Sequence, residues 1–576
     1  MAFLRNLLAT IVGLFIFFFL GIMLVAAIAS AGDETPVVES NSVLGINMSG
    51  FLMERTKDDP LEQLFGNSPA PLSLIDILAA IKAAKNDSKI HGIYIKPMYL
   101  QAGQSSLLEI RNALVDFKES GKFIYAYGEY ISESDYMVVS VADSLFLNPE
   151  GSLEFNGLNA SVTFFKGLFD KLDIEPEIFR VGEYKSAIEP FIRKDLSDEN
   201  KLQLSELLGS IHQSYLNAVE GNTSIDFLTL KNISDKMLAR NPETAMQYGL
   251  ISKVGYEDEL KTVIRRKIGL DEEDEINFIS CKKYMKSISG TYSSNKIAVI
   301  VADGEIVMGS DSEVVGGKQF ADEIRKAREN ESVKAIVLRV NSPGGSLTAS
   351  EQIWREIKLT KGVKPIIASM SNVAASGGYY IAAPCDTIIA QPNTITGSIG
   401  IFGMMFNFGE FLENKLGITS DNVNTGEFSD YMTVMRTLTP GERMIIQTQI
   451  ERGYETFVTR VSEGRGMTRD EVKNVAGGRV WSGAQALDRG LVDILGSYED
   501  AIVIAATKAG VADDYRVRYY PEQKEFLDQL LENIEDMNAS IFATKESIIT
   551  PYLKKIESLQ RMTGIQARMP GDLQIN

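Results

Sequence analysis

The sequence predicts an α/β fold built from two copies of one domain behind an N-terminal transmembrane helix. Three observations carry this expectation. Short β-rich runs alternate with stretches of helical spacing, which implies βαβ units. Several segments recur in the same order at a nearly constant separation, the mark of an internal repeat. The chain also opens on a long uncharged apolar run.

That run extends from Leu7 to Ala31 and holds 25 residues without a charged side chain. At 1.5 Å per residue it makes about 37 Å of helix, enough for a hydrocarbon core of about 30 Å. Arg5 precedes it and Asp33 and Glu34 follow, so the positive-inside bias leaves the N-terminus cytoplasmic and exports the body. Ala29-Ser30-Ala31 also resembles a signal-peptidase site, but a signal peptide's apolar region runs only about 7–15 residues. The expectation is an uncleaved anchor over residues 1–32 and a soluble body beyond it.

The repeat is read by self-comparison. Gly182-Glu183-Tyr184-Lys185 returns as Gly426-Glu427-Phe428-Ser429, an offset of 429 − 185 = 244. Ala245 to Leu250 returns as Ala486 to Leu491 (offset 241), and Tyr256-Glu257-Asp258 as Tyr498-Glu499-Asp500 (offset 242). Ala142-Asp143-Ser144 matches Cys385-Asp386-Thr387 at offset 243. The copies span residues 42–270 and 296–520. Residues 271–295, rich in acidic residues, Lys and Ser, read as a linker, and residues 521–576 as a helical tail with an amphipathic stretch at Phe526 to Met537. In the second copy, strands are expected at Ile297 to Val301, Ala335 to Val340 and Pro365 to Ser369, with helices at Gln319 to Glu329 and Ser350 to Leu359.

Composition excludes several functions. A net charge of −19 offers nothing to neutralise nucleic-acid phosphates. Two distant cysteines, Cys281 and Cys385, form neither a disulfide scaffold nor a zinc motif. The two histidines, His91 and His212, sit in a probable strand and a probable helix with no motif around them, so a hydrolase built on this chain needs another base.

Candidate chemistry lies in the second copy. The strand ending at Val340 runs into Asn341-Ser342-Pro343-Gly344-Gly345-Ser346, where paired glycines admit positive φ and turn N–H groups outward, as an oxyanion-binding loop requires. Alone, Pro-Gly-Gly also marks ordinary turns. After the next strand, expected to end near Met370, Ser376 stands among small residues in Ala374-Ala375-Ser376-Gly377-Gly378-Tyr379 at a predicted helix start. Alone it reads equally as an N-cap before a packed helix. The first copy places Glu133 at the Ser376 position and Pro97 to Ala102 at the Gly-Gly loop, yet carries Lys185 where the second has Ser429. An exposed turn is a lysine's usual place, but each copy keeping one half of a Ser-Lys pair fits a composite site.

These segments together resemble the signal peptide peptidase A family in its long form. The matching runs are Tyr184 to Phe191, Asn341 to Ser346, Ala374 to Tyr380 and Thr396-Gly397-Ser398-Ile399-Gly400, within a similarity reaching from the anchor to about Val511. The resemblance implies two tandem crotonase-like (Clp-protease-like) domains and a bowl-shaped homo-oligomer, a tetramer, on the periplasmic face of a bacterial inner membrane. It implies Ser376 as nucleophile and Lys185 as base, with Ser398 bonded to the lysine. It also implies an oxyanion hole from the N–H groups of Gly377 and Gly344 or Gly345. It leaves open whether the pair forms within one chain or between chains. No metal or organic cofactor is expected, and the expected substrates are remnant signal peptides. Two other classes fit parts of the pattern: a crotonase-type acyl-CoA enzyme and a non-catalytic membrane scaffold.

Overall fold

The computed structural model describes residues 2–31, 36–56, 71–288, 292–309, 314–521, 564–569 and 574–575. Helix α1 (Ala2–Ala31) opens the chain. Its described side chains cover Arg5 to Gly21 and Met23, and Phe15, Phe17 and Phe18 among them are exposed. Among the described residues no helix is long and apolar enough to cross a membrane.

A first sheet holds β1 (Ser42–Met53), β2 (Leu72–Ser73), β3 (Ile90–Gln101), β4 (Phe123–Ile131), β5 (Ser144–Leu153), β8 (Lys253–Val254) and β9 (Phe278–Ser280). Their spatial order is β2-β1-β3-β4-β5-β8, with β9 also on β1 and every pair parallel. A second sheet holds β10 (Lys296–Asp303), β13 (Val333–Ser342), β15 (Ile366–Ala375), β16 (Thr387–Ala390), β17 (Ile395–Gly397), β19 (Val480–Ser482), β20 (Ile494–Leu495) and β21 (Arg516–Tyr520). Its order is β19-β17-β15-β13-β10-β21, with β16 bridging β15 to β20. A third sheet draws on both halves of the chain. It holds β7 (Glu175–Val181), β11 (Ile306–Val307), β12 (Val315–Gly316), β14 (Gly344–Ser346), β18 (Ile401–Asn407) and β22 (Gly564–Arg568), in the order β12-β11-β14-β22-β18-β7. Two residues of β6 (Ala160–Ser161) pair with β23 (Gln574–Ile575).

The central strands are covered on both faces, as parallel strands between helices must be. In β10, Ala298, Ile300 and Ala302 face one buried cluster while Ile297 and Val299 face another. β13 splits the same way, with Ile336, Leu338 and Val340 on one side and Ala335 and Val337 on the other. Continuous apolar runs therefore mark buried strands here rather than helices. The helices between them are Gly317–Glu329 and Leu347–Thr360, each a few residues longer than the spacing predicts.

Individual hydrogen bonds recur at the repeat offset. Tyr136 Oη donates to the Leu250 carbonyl (2.8 Å), and Tyr379 Oη to the Leu491 carbonyl (2.9 Å). Lys122 Nζ donates to the carbonyls of Ala84 and Asp87, and Lys364 Nζ to those of Ala327 and Asn330.

Three features depart from the sequence expectations. The segment expected to be a linker is not a free connection. Its β9 lies on β1 as β21 lies on β10, and the helix Cys281–Ser287 follows. Polar composition conceals these short elements, although Ile279 and Tyr284 are buried. The tail is not uniformly helical, since β22 and β23 are extended, while Phe526 to Met537 lies outside the described residues. Finally, β15 runs past Met370 to Ala375, because its last residues pair with β17.

The halves dock through polar contacts, most of them buried. Arg339 on β13, with its side chain 1% exposed, bonds Glu54 (2.8 Å) and Glu109 (2.9 Å) and the hydroxyls of Ser369 and Ser371 (both 3.0 Å). Asn372 Oδ1 accepts from the Ser106 N–H (2.9 Å), and Ser105 Oγ donates to Asn393 Oδ1 (3.1 Å).

Candidate active site

Lys185 comes from the first half and Ser376 from the second, and a strand pairing joins them. β7 runs antiparallel to β18 in continuous register from Glu175↔Asn407 to Val181↔Ile401. Lys185 lies just beyond the end of β7, and Ser398 just before the start of β18. The ladder therefore carries the lysine to the turn that holds Ser398. Phe169, Ile188, Phe191, Phe402 and Met404 pack beside it and exclude water.

Lys185, Ser376 and Ser398 are each 0% exposed. Lys185 Nζ lies 2.9 Å from Ser376 Oγ, 3.0 Å from Ser398 Oγ and 3.2 Å from the Ser398 carbonyl oxygen, all within one chain. No carboxylate lies among these contacts. Burial drives the Lys185 pKa well below that of an ordinary lysine. Lys185 Nζ donates to all three oxygens, so the buried amine is held by two hydroxyls and one carbonyl.

Both serines sit on strained backbone. Ser376 has φ +55°, ψ −114°, and Ser398 has φ +49°, outside the usual range for residues with a Cβ. Such strain persists where surroundings impose it. Here the Ser376 N–H donates to the Gly397 carbonyl (2.8 Å), and the Ser398 N–H to the Arg479 carbonyl (2.7 Å). The helix Gly377–Ala382 follows Ser376 directly, and Ser376 makes no side-chain cap. Its hydroxyl is therefore turned to the lysine.

The glycine loop is built for close approach. Gly344 (φ +97°) leaves so little room that a Cβ there would lie 2.6 Å from the Gly377 nitrogen and 2.1 Å from the Ala567 carbonyl oxygen. The Gly344 N–H itself points to Ser342 Oγ (3.2 Å), so this donor is engaged within its own turn. Gly345 pairs with Ala567 of β22. The arrangement sets a buried hydroxyl on a buried amine beside glycine backbone that closes on one carbonyl oxygen, a combination suited to acyl transfer.

Comparison with known proteins identifies the family. The sequence matches the family model of Peptidase family S49 over residues 116–271 and 358–512, and that of Clp protease over residues 289–396. The chain belongs to peptidase family S49. Among its relatives, Protease 4 of Haemophilus influenzae is 35% identical over 94% of this chain and 90% of its own length. The chloroplastic serine protease SPPA of Arabidopsis thaliana is 31% identical over 93% and 78%. A putative signal peptide peptidase SppA of Enterococcus faecium is 34% identical over 46% and 78%. This S49 peptidase is accordingly a serine protease with a Clp-protease-like α/β fold.

Sequence reasoning missed the glycines that seat the S49 peptidase's lysine. Gly478 (φ +83°) packs so closely that a Cβ would lie 2.6 Å from Lys185 Cβ and 2.7 Å from its backbone nitrogen. The Tyr184 N–H donates to the Gly477 carbonyl (3.0 Å), and the Gly478 N–H to the Ile399 carbonyl (2.9 Å). The adjacent pair Gly477-Gly478 was the available signal, indistinguishable in sequence from any surface turn.

The corresponding place in the first half of the S49 peptidase is filled by carboxylates. Glu133 Oε2 accepts from the N–H groups of Asn156 (2.9 Å) and Gly157 (2.8 Å), and burial raises its pKa to about 7. Asp135 Oδ1 accepts from the Leu100 N–H (3.4 Å). A fixed acid thus takes the loop donor there. His212 Nε2 contacts Ser234 Oγ (3.3 Å).

Proposed function

We propose that this S49 peptidase hydrolyses peptide bonds with a Ser-Lys dyad and holds its body beside a membrane. Ser376 is the nucleophile and Lys185 the general base. Ser398 is the positioning residue that keeps the amine aimed. The observation that carries the reading is the 2.9 Å contact between Lys185 Nζ and Ser376 Oγ inside a fully buried pocket.

The mechanism follows from charge. Neutral Lys185 accepts the Ser376 proton as Oγ attacks the substrate carbonyl carbon. The negative charge forming on the carbonyl oxygen meets the N–H of Gly377 and the glycine loop at Gly345, or at Gly344 once its N–H leaves Ser342 Oγ. Lys185, now an ammonium, returns its proton to the leaving amine, which departs and leaves an acyl-enzyme on Ser376. The same amine then takes a proton from water, whose hydroxide releases the acid. A preorganised oxyanion donor contributes about 3–4 kcal/mol to such a step.

The substrate and location rest on other features. Uncharged sequence from Leu7 to Ala31, in a helix of 30 residues with exposed aromatic side chains, supports a single membrane anchor with the body on the periplasmic side. An anchored peptidase meets signal peptides left in the bilayer, the substrate named for the Enterococcus relative. Exposed apolar side chains at Leu416, Ile418, Val423, Met432 and Met444 support self-assembly through this edge of the second half.

The test is peptide hydrolysis by the detergent-solubilised chain. Ser376→Ala and Lys185→Ala each remove activity by at least about 10³-fold while the far-ultraviolet spectrum stays unchanged. Near-normal turnover by Lys185→Ala at pH 7 sinks the base assignment.

A further inference from the structure

The third sheet is completed by a strand that arrives from the far end of the chain. β22 inserts antiparallel between β14 and β18, with Gly344↔Arg568, Gly345↔Ala567 and Ser346↔Gln566 on one side and Phe402↔Gln566, Gly403↔Ile565 and Met404↔Gly564 on the other. Adjacent strands lie about 4.8 Å apart. Withdrawing β22 therefore leaves a slot one strand wide, about 10 Å between its walls, lined by two unpaired backbone edges. Such an edge is a ready template for an extended peptide. Both walls lead to the dyad: β14 is the glycine loop, and β18 follows Ser398.

Seating of the strand is specific. Ala567 is 0% exposed, and its carbonyl oxygen lies where Cβ atoms on Gly344 and Gly377 would come within 2.1 and 3.1 Å of it. Met569 donates its N–H to the Pro343 carbonyl (2.8 Å) and buries its side chain against Leu207, Ile211, Ala375, Ile395 and Val480. Arg568 pairs with Glu305 (3.0 Å), both side chains being mostly buried. An extended chain with its carbonyl between Gly344 and Gly377, beside Ser376, is what the acyl-transfer mechanism requires of a substrate.

We infer that residues 564–569 are an intramolecular pseudo-substrate that occupies the peptide groove. Their register assigns the groove a small residue at the reacting carbonyl, the place of Ala567, followed by a basic residue that Glu305 recognises. The inference rests on Ser376 being the nucleophile. A tethered strand competes at high effective concentration, so it raises the apparent KM for external peptides and leaves kcat largely alone.

The experiment compares the full chain with one ending at Thr563 and with Ala567→Phe, whose ring the closed pocket rejects without shortening the chain. KM for a peptide carrying Ala followed by Arg falls at least about fivefold in both variants, with kcat within about twofold. Added hexapeptide Gly-Ile-Gln-Ala-Arg-Met inhibits the shortened chain competitively, and its counterpart with Glu for Arg inhibits at least about tenfold less. Anisotropy of the labelled hexapeptide on the shortened Ser376→Ala chain reports binding without chemistry. Unchanged KM in both variants of an active enzyme, or no hexapeptide binding, overturns the pseudo-substrate. Binding by a chain that hydrolyses nothing instead preserves the groove assignment and rejects Ser376 as nucleophile.

Discussion

Lys185→Met removes the proposed base and, at neutral pH, stabilises the fold. In the unfolded chain a lysine keeps its proton up to about pH 10.4, and each unit of displacement is worth about 1.36 kcal/mol. The proposed mechanism requires Lys185 to be neutral in the folded protein near pH 7, the direction in which burial drives it. Holding it so costs about 1.36 × 3.4, or about 4.6 kcal/mol. Methionine fills similar volume without that cost but forfeits the two bonds to Ser398, each worth about 1 kcal/mol. The expected net gain is about 2–3 kcal/mol at pH 7. The sign follows from proton counts. Between the depressed folded pKa and the unfolded value the unfolded chain binds one proton more, so wild-type stability rises with pH by about 1.4 kcal/mol per unit. Near pH 9 the cost falls to about 1.9 kcal/mol and the variant's advantage disappears. Urea unfolding at pH 7, 8 and 9 measures this, with both proteins carrying Ser376→Ala to prevent self-digestion. A stability difference that does not change with pH refutes a buried neutral lysine.

Three further outcomes follow from the same contacts. Ser398→Ala removes one hydrogen bond to the amine, worth about 1 kcal/mol, so kcat falls about fivefold or more and KM holds; steady-state kinetics on one peptide separates the two. Gly478→Ala forces a Cβ against Lys185 at a positive φ, costs about 1–3 kcal/mol in strain and lowers kcat, visible as an earlier unfolding midpoint together with a displaced lysine in a crystal structure. Arg339→Met leaves Glu54 and Glu109 buried without their cation and costs about 3–5 kcal/mol at pH 7; the loss shrinks toward pH 5 because burial, opposed in the wild type by Arg339, holds the Glu109 pKa up and the unpaired Glu109 takes a proton, as denaturation at the two pH values reports.

What could be read beforehand was whatever a motif or a period encodes. Ser376, Lys185 and Ser398 stand in short distinctive runs, and the repeat offset revealed that each half keeps a different partner. β10 and β13 were legible because strands buried on both faces are apolar at every position. Arg339 was not, because a charge inside Ala335 to Val340 looks like a residue facing water, yet it is 0% exposed among partners brought from Glu54 and Glu109. The β7–β18 ladder was equally silent, since strand pairing between distant segments leaves no local trace. Gly478 is needed for what approaches it, Lys185, and an approach is written in the fold alone. β22 belongs to a tail whose composition suggested helices, and its conformation is imposed by the two edges that receive it.

Duplication supplies the burial that the proposed base needs beside Ser376. A base drawn from the same loop as its nucleophile would share that loop's exposure, whereas one delivered across a ladder of seven paired residues arrives in a pocket closed by both halves. The exchange frees the first half from catalysis. Its loop donor at Leu100 can then be satisfied by Asp135, and its equivalent of Ser376 can become Glu133, which fastens Asn156 and Gly157. The second half keeps the open glycine loop, and its counterpart of Lys185, Ser429, sits in an exposed turn bonded to Gly426. Restoring symmetry with Glu133→Ser therefore creates no second active site, since the first half lacks both the glycine loop and an incoming amine. That variant, combined with Ser376→Ala, stays inactive.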